Sequence, residues 1–281
     1  MKNTIMLLLS ETSIHTGSGS TTSIIDNPVT REKITEYPYI SSTSIKGALR
    51  SDISRSKPQG VSLDEEFGKQ DAIGNMSLSD ARLFLLPVRS LNTNYKWVTC
   101  KYLLERSLRD YIRCGNEENK NVLDNFPSVE KGTAISFDDK SGEFAYLEDR
   151  ELNIKKHNVG ESKEKENGLF NYIERFIPDD LLKKDLKEKL LIVNDDDFKW
   201  FAKYGLQIYI RNQLTENKTS NNLWYEEYIS PDTIFYTIII YRNSVSENKL
   251  FTHLKENPYL QIGGNESVGQ GWFKLKQFGG K

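Results

Sequence analysis

Apolar positions divide the chain into strand-like and helix-like stretches. Residues 4–12, rich in Ile, Leu and Thr, read as a first strand. Ser41, Ser42, Thr43 and Ser44 are good helix N-cap types, and Ile45, Ala48, Leu49 and Ile53 follow at helical spacing. Residues 76–86 read as a largely buried strand, and Trp97-Val98-Thr99-Cys100 as another. Tyr102, Leu103, Leu104, Leu108, Tyr111 and Ile112 mark one face of a helix from Lys101 to Cys114. Between 115 and 190 the pattern weakens. Residues 155–166 read as a charged hairpin tip or disordered loop, and 179–190 as a charged amphipathic helix. Leu191-Ile192-Val193 is a strand, and Asp195-Asp196-Asp197 caps a helix carrying Phe198 and Phe201. The last third predicts strands over 205–214, 223–229 and 233–241, then a short helix over 246–257 with Leu250, Phe251 and Leu254 inward. Two strands joined by a glycine-rich loop close the chain.

This order predicts an α+β fold. Its simplest form is a ferredoxin-like (RNA-recognition-motif-like) βαββαβ core with long insertions, a type of sheet that commonly binds RNA on one face. A single domain over 1–281 follows, with a palm from about 1–53 and 205–281 and insertions within about 54–204. Hydrophobic residues make up 37% and charged residues 28% of the 281 positions, a foldable polar composition. No apolar run approaches the length of a membrane helix. Residues 1–10 are too short an apolar run for a signal peptide and lack a small-residue cleavage site, so a cytoplasmic protein is expected. Cys100 and Cys114 form no CxxC pair, and His15, His157 and His253 are scattered, which gives no zinc or triad pattern.

A net charge of −2 argues against a free-standing non-specific nucleic-acid binder. Local charge differs. Residues 29–60 hold Arg31, Lys33, Lys46, Arg50, Arg55 and Lys57 against Glu32, Glu36 and Asp52. After Gly263 come Lys274, Lys276 and Lys281 against Glu266. If both ends meet, they form one positive surface. Lys46 and Arg50 share a face of a capped helix start, which suits a phosphate backbone or a plain solvated face. The loop Gly263-Gly264-Asn265-Glu266-Ser267-Val268-Gly269-Gln270-Gly271 is either a phosphate-binding nest of amides or a tolerant hairpin turn. Asp26, ahead of Asn27-Pro28, reads on its own as a turn-forming residue.

Several segments, in order, carry a resemblance. They are His15-x-Gly17-Ser18-Gly19; Ile25-Asp26-Asn27-Pro28-Val29-x-Arg31-Glu32-Lys33; Ser44-Ile45-Lys46-Gly47-Ala48-Leu49-Arg50; Phe67-Gly68 with the run from Ser79 to Ser90; Trp97-Val98-Thr99-Cys100; Leu223-Trp224-Tyr225-Glu226-Glu227; and Gly263-Gly264-Asn265-Glu266-Ser267-Val268-Gly269-x-Gly271-Trp272. Together they resemble the fourth, backbone RAMP subunit of the Cmr effector complex of type III-B CRISPR systems, in the Cas seven superfamily. The resemblance implies a subunit that stacks with copies of itself along guide (CRISPR) RNA, beside other Cmr-complex subunits. It implies guide contacts from Ser44, Lys46 and Arg50 and from Gly263, Gly264, Gly269, Gln270 and Gly271. A thumb hairpin, at about 68–78 or 150–177, would wedge between bases. Asp26 would carry cleavage of bound target RNA with a divalent metal such as Mg²⁺, through attack of the neighbouring 2′-hydroxyl. His15 would assist by proton transfer, and Glu227 by metal binding or orientation. Other readings are a non-catalytic guide-binding backbone subunit, a stand-alone endoribonuclease that processes guide precursors, and a protein scaffold without RNA.

Overall fold

The computed structural model describes residues 2–17, 19, 24–118, 120–124, 126–157, 168–242 and 244–278. The first strand, β1 (Lys2–Ser10), is buried on both faces, with Met6 and Leu8 in one apolar cluster and Ile5, Leu7 and Leu9 in another. It therefore runs between two packed layers, which explains its continuous rather than alternating hydrophobicity. After β2 (Tyr39–Ile40), α1 (Ser42–Ser56) starts where the Ser41 hydroxyl accepts the Ser44 amide at 3.2 Å, and it buries Ile45, Leu49 and Ile53. Next come α2 (Leu63–Phe67), β3 (Met76–Leu78), β4 (Ala81–Arg89), β5 (Tyr95–Cys100) and α3 (Lys101–Arg113). The middle holds β6 (Thr133–Ser136), β7 (Phe144–Leu147), β8 (Arg150–Lys156), α4 (Leu169–Glu174), α5 (Asp180–Lys189), β9 (Leu190–Val193) and α6 (Asp195–Tyr204). The chain then forms β10 (Gln207–Leu214), β11 (Ser220–Tyr228), β12 (Ile234–Tyr241), α7 (Ser244–Glu256), β13 (Tyr259–Gln261) and β14 (Trp272–Gln277).

Among the described residues one sheet runs β13-β14-β1-β12-β4-β5-β9-β6-β8-β7, with β2 added on β4 and β3 on β12. Its β14-β1-β12-β4 part is antiparallel throughout. Helix α1 joins β1 to β4, and α7 joins β12 to β14, the two split βαβ units of a ferredoxin-like core. The insertion does not form a separate lobe. It prolongs the same sheet through β5, β9, β6, β8 and β7. The outer edge of β7 is closed by the residues after β4: the Leu91 amide donates to the Tyr146 carbonyl, and the Tyr146 amide to the Asn92 side chain, at 3.0 and 2.9 Å.

The acidic run at α6 differs in detail from expectation. Asn194 is the N-cap, accepting the Asp196 amide at 2.9 Å. Asp195 accepts the Tyr102 amide at the start of α3, and buried Asp197 takes the Gly132 amide and Arg150. No helix among the described residues is long and apolar enough to cross a membrane.

Among the described residues neither sequence candidate for a thumb forms a projecting hairpin. Residues 68–74 form a compact loop: a Cβ on Gly74 would lie 2.4 Å from the Glu66 carbonyl oxygen, and Arg50 donates to the Gly68 carbonyl at 2.9 Å. Within 150–177, β8 lies inside the sheet and α4 is packed by Leu169, Tyr172 and Ile173, while 158–167 fall outside the described residues. The exposed hairpin is β10–β11, a separate two-stranded sheet with Ile210 61% exposed and Ile208, Leu214 and Leu223 also open.

Candidate functional site

The loop after β1 is pinned on two sides. Ile14 exchanges both backbone hydrogen bonds with Ile229, just past β11, at 3.0 Å each. The His15 carbonyl accepts the Gly264 amide at 3.1 Å, and the Ser13 carbonyl accepts the Gly271 amide at 3.0 Å. Gly263 has φ +101°, and a Cβ there would lie 2.8 Å from the His15 carbonyl oxygen, so only glycine allows this approach. His15 Nδ1 donates to the Glu227 carbonyl at 2.9 Å. That acceptor fixes the tautomer and leaves Nε2 as the acceptor nitrogen of the neutral ring, poised over Gly17.

Asp26 belongs to a short segment laid alongside β11. Asn27 bridges Glu226 in parallel; its amide donates to the Tyr225 carbonyl at 3.1 Å, and its carbonyl accepts the Glu227 amide at 3.0 Å. Asp26 Oδ2 accepts the Tyr225 amide at 2.8 Å. The residue is thus more than a local turn former, because its partner strand comes 199 residues later. Among the described residues its second oxygen, Oδ1, has no protein partner.

Glu227 is differently placed. Its side chain is 4% exposed, Oε1 meets Arg31 at 2.6 Å, and Oε2 accepts the Val29 amide at 3.0 Å. Both oxygens are committed to protein. Among the described residues no group of three His, Cys, Asp or Glu side chains could hold a metal ion. The donor set therefore does not fit a resident all-protein site. It fits a Mg²⁺ shared between one carboxylate and RNA phosphate oxygens, the usual way this ion binds.

A second constellation is a cleft between α1 and the glycine loop, lined by His15, Ser44, Gly47, Ser51, Arg55, Gly263 and Gly264. The small side chains of α1 at helical spacing let the loop lie close. The loop's own amides are largely used: those of Val268, Gly269 and Gln270 donate to carbonyls within the loop, and those of Gly264 and Gly271 to the His15 segment. An amide nest built on those five is thus ruled out, and Gly269 offers shape and open space instead. Lys46 and Arg50 line a separate cleft with residues 67–74. Arg50 also reaches Asp64 at 3.7 Å, whereas Lys46 has no carboxylate partner among the described residues.

Sequence reasoning named Glu227 at the base of the hairpin but passed over the network beside it. Arg211 on β10 contacts Glu226 at 3.2 Å and the Tyr228 hydroxyl at 2.7 Å. The Trp224 indole donates to Glu226 at 2.7 Å, Tyr228 donates to the same carboxylate, and Asn265 of the glycine loop reaches Tyr228 at 3.2 Å. Burial alone would raise the Glu226 pKa, but the Trp224 and Tyr228 hydrogen bonds and the Arg211 charge outweigh it, so the carboxyl lies below its ordinary value. The only sequence signal was the run Trp224-Tyr225-Glu226-Glu227-Tyr228, dense in polar aromatics and acids.

Comparison with known proteins places these features in a family. The model of the RAMP superfamily matches residues 8–274. The chain is 32% identical to the CRISPR system Cmr endoribonuclease Cmr4 of Pyrococcus furiosus, over 98% of this chain and 95% of that one. It is 22% identical to the CRISPR system CMR subunit Cmr4 of Saccharolobus solfataricus, over 94% and 93%. The crystal structure of oligomeric Cmr4 from Pyrococcus furiosus superposes with a TM-score of 0.74 at 28% identity, covering 99% of this chain and 98% of that one. A chain of the type III-B Cmr-beta complex bound to cognate target RNA superposes with a TM-score of 0.78 over 99% and 98%, at 20% identity, a likeness of fold. The match over nearly the full length, on a ferredoxin-like palm with its glycine loop, means that this chain belongs to the RAMP superfamily.

Proposed function

We propose that the chain is a backbone subunit of a CRISPR RNA-guided effector complex in the cytoplasm. In this reading it lines up with copies of itself along guide RNA, beside other subunits, and cleaves bound target RNA at regular intervals. One observation carries it: the Asp26 carboxylate is anchored by Oδ2 to the Tyr225 amide at the root of the exposed hairpin β10–β11, with Oδ1 left over among the described residues. The endoribonuclease named for the Pyrococcus furiosus relative supports it.

The chemistry needs little beyond positioning. A hairpin that lifts one base out of the stack bends the strand and brings the 2′-hydroxyl into line with the next phosphorus. Asp26 Oδ1 is the group that accepts the hydroxyl proton or orients it; as the 2′,3′-cyclic phosphate forms, the P–O5′ bond breaks and the departing 5′-oxygen takes up a proton. His15, with Nδ1 committed to the Glu227 carbonyl, offers Nε2 along the same edge of β11 as a carrier of that proton. A divalent ion such as Mg²⁺, held jointly by Asp26 and phosphate oxygens, would neutralise charge at the reacting phosphate. Lys46 grips guide phosphate from α1. The β10–β11 hairpin takes the thumb role.

The test is cleavage of target RNA by the reconstituted complex, wild type against Asp26→Asn, at several Mg²⁺ concentrations. Loss of about 10²–10⁴-fold in single-turnover rate with assembly intact is the expected result. Guide and target binding without regular cuts in the wild type would leave a non-catalytic backbone subunit.

A further inference from the structure

Arg31 and Glu227 form a half-buried pair that no step of the chemistry uses. Arg31 Nη2 meets Glu227 Oε1 at 2.6 Å, and Nη1 donates to the Glu36 and Ala202 carbonyls at 2.8 and 2.7 Å. One guanidinium thereby ties β11, the turn at Glu36 and the end of α6. The other Glu227 oxygen accepts the Val29 amide at 3.0 Å. Through its main chain the same residue holds Asn27 by its amide and His15 by its carbonyl. Three links around the segment that carries Asp26, from Asn27, Val29 and His15, thus converge on Glu227, beside the two that Tyr225 makes to Asp26 and Asn27, and Arg31 is the side-chain cation that neutralises Glu227. Arg31 is 19% exposed and Glu227 only 4%.

We propose that Arg31 and Glu227 are positioning residues: a charge latch that holds residues 27–29 against β11 and so fixes the Asp26 carboxylate. This rests on the reading of Asp26 as the cleaving carboxylate. Glu227 then touches neither RNA nor metal.

The latch makes a prediction that a catalytic Glu227 does not. Removing one member leaves the other buried without its partner, whereas removing both charges relieves the mismatch. In Glu227→Gln a single amide oxygen must serve two donors, Arg31 and the Val29 amide. In Arg31→Met the carboxylate is stranded. In the double variant Arg31→Met/Glu227→Gln one oxygen serves one donor. Single-turnover cleavage, guide binding and thermal melting would be measured for the reconstituted complex with each variant. Each single variant should cut about 100-fold more slowly, the cost of a catalytic group misplaced by about 1 Å, with guide binding unchanged. The double variant should return to within about tenfold of wild type, a non-additive recovery. A double variant as slow as Glu227→Gln would overturn the latch and assign Glu227 to the reacting atoms. Wild-type cleavage by Arg31→Met would overturn it equally. If Arg31→Met fails to assemble, Arg31→Gln, which also removes the charge, decides: a slowed rate with normal binding supports the latch, and a wild-type rate refutes it. Asp26→Asn run in parallel separates the two ideas, since wild-type cutting there sinks the catalytic reading itself.

Discussion

Lys46, Arg50 and Arg55 lie on one helix, yet two of them already have carboxylate partners: Arg50 with Asp64 and Arg55 with Glu266, both at 3.7 Å. Such exposed pairs are worth roughly 0–1 kcal/mol, so they steer side chains more than they stabilise the fold. Lys46 has no carboxylate partner among the described residues and is the candidate for an outside one. Lys46→Ala should therefore weaken guide-RNA binding and reduce the slope of log K against log salt by about 0.7 per copy, the value for one single-strand phosphate contact. Arg50→Ala should leave that slope nearly unchanged and instead loosen residues 68–74, read as faster amide exchange there. An unchanged slope in Lys46→Ala would remove its phosphate role. Arg31 illustrates what local sequence hides. Its neighbour Glu32 offers a nearer carboxylate, but Glu32 is taken by Arg106 at 2.6 Å. Spacing could not reveal a partner at Glu227, and the resemblance supplied Asp26, His15 and Glu227 as names without saying which of them has a free oxygen.

At the scale of elements, the hairpin β10–β11 joins the two halves of the site. Its base is locked to the glycine loop by Arg211, Glu226, Tyr228 and Asn265, while its outer part shares no sheet with the palm. Shortening it across the 215–219 turn should leave guide binding intact and abolish the regular spacing of cuts, as seen in sized cleavage products; evenly spaced cuts from the shortened chain would deny it the thumb role. The lock has a pH signature. The Glu226 pKa is lower folded than its ordinary value of 4.5, so its contribution is complete above that value and is lost as pH falls through the folded pKa. The Trp224 indole N–H resonance should report this below pH 4.5, and Arg211→Met should move the transition upward. The palm strands and α1 were legible because both faces or one stripe are apolar. The thumb was not. Leu206-Gln207-Ile208-Tyr209-Ile210 alternates like any half-buried strand, and alternation does not say whether a second layer covers the apolar face. Residues 144–156 failed the opposite way: β7 and β8 lie at the sheet's far end with exposed and buried positions mixed, so their polarity concealed two strands.

For the whole molecule, the question is how a chain of net charge −2 holds RNA. Much of its cationic charge is spent internally: Arg31 on Glu227, Arg82 on Asp110, Arg106 on Glu32, Arg150 on Asp197 and Lys274 on Asp179. Each phosphate contact made by the others adds only a modest, salt-sensitive increment. One copy should then bind single-stranded RNA weakly. The hairpin adds a reason for copies to act together, because Ile208, Ile210, Leu214 and Leu223 stand exposed on it. An apolar surface of that kind is covered only when RNA bases or a neighbouring copy lie against it. Binding should therefore be cooperative along the strand. Titrations against unstructured RNAs of increasing length, at fixed salt, should show weak binding to the shortest and a steep gain once two copies fit side by side. That gain should persist in higher salt, where single contacts fade, because apolar burial between copies is not screened. Affinity that rises only in proportion to the number of overlapping sites would mean that the copies bind independently, and the exposed hairpin would then need RNA alone as its cover.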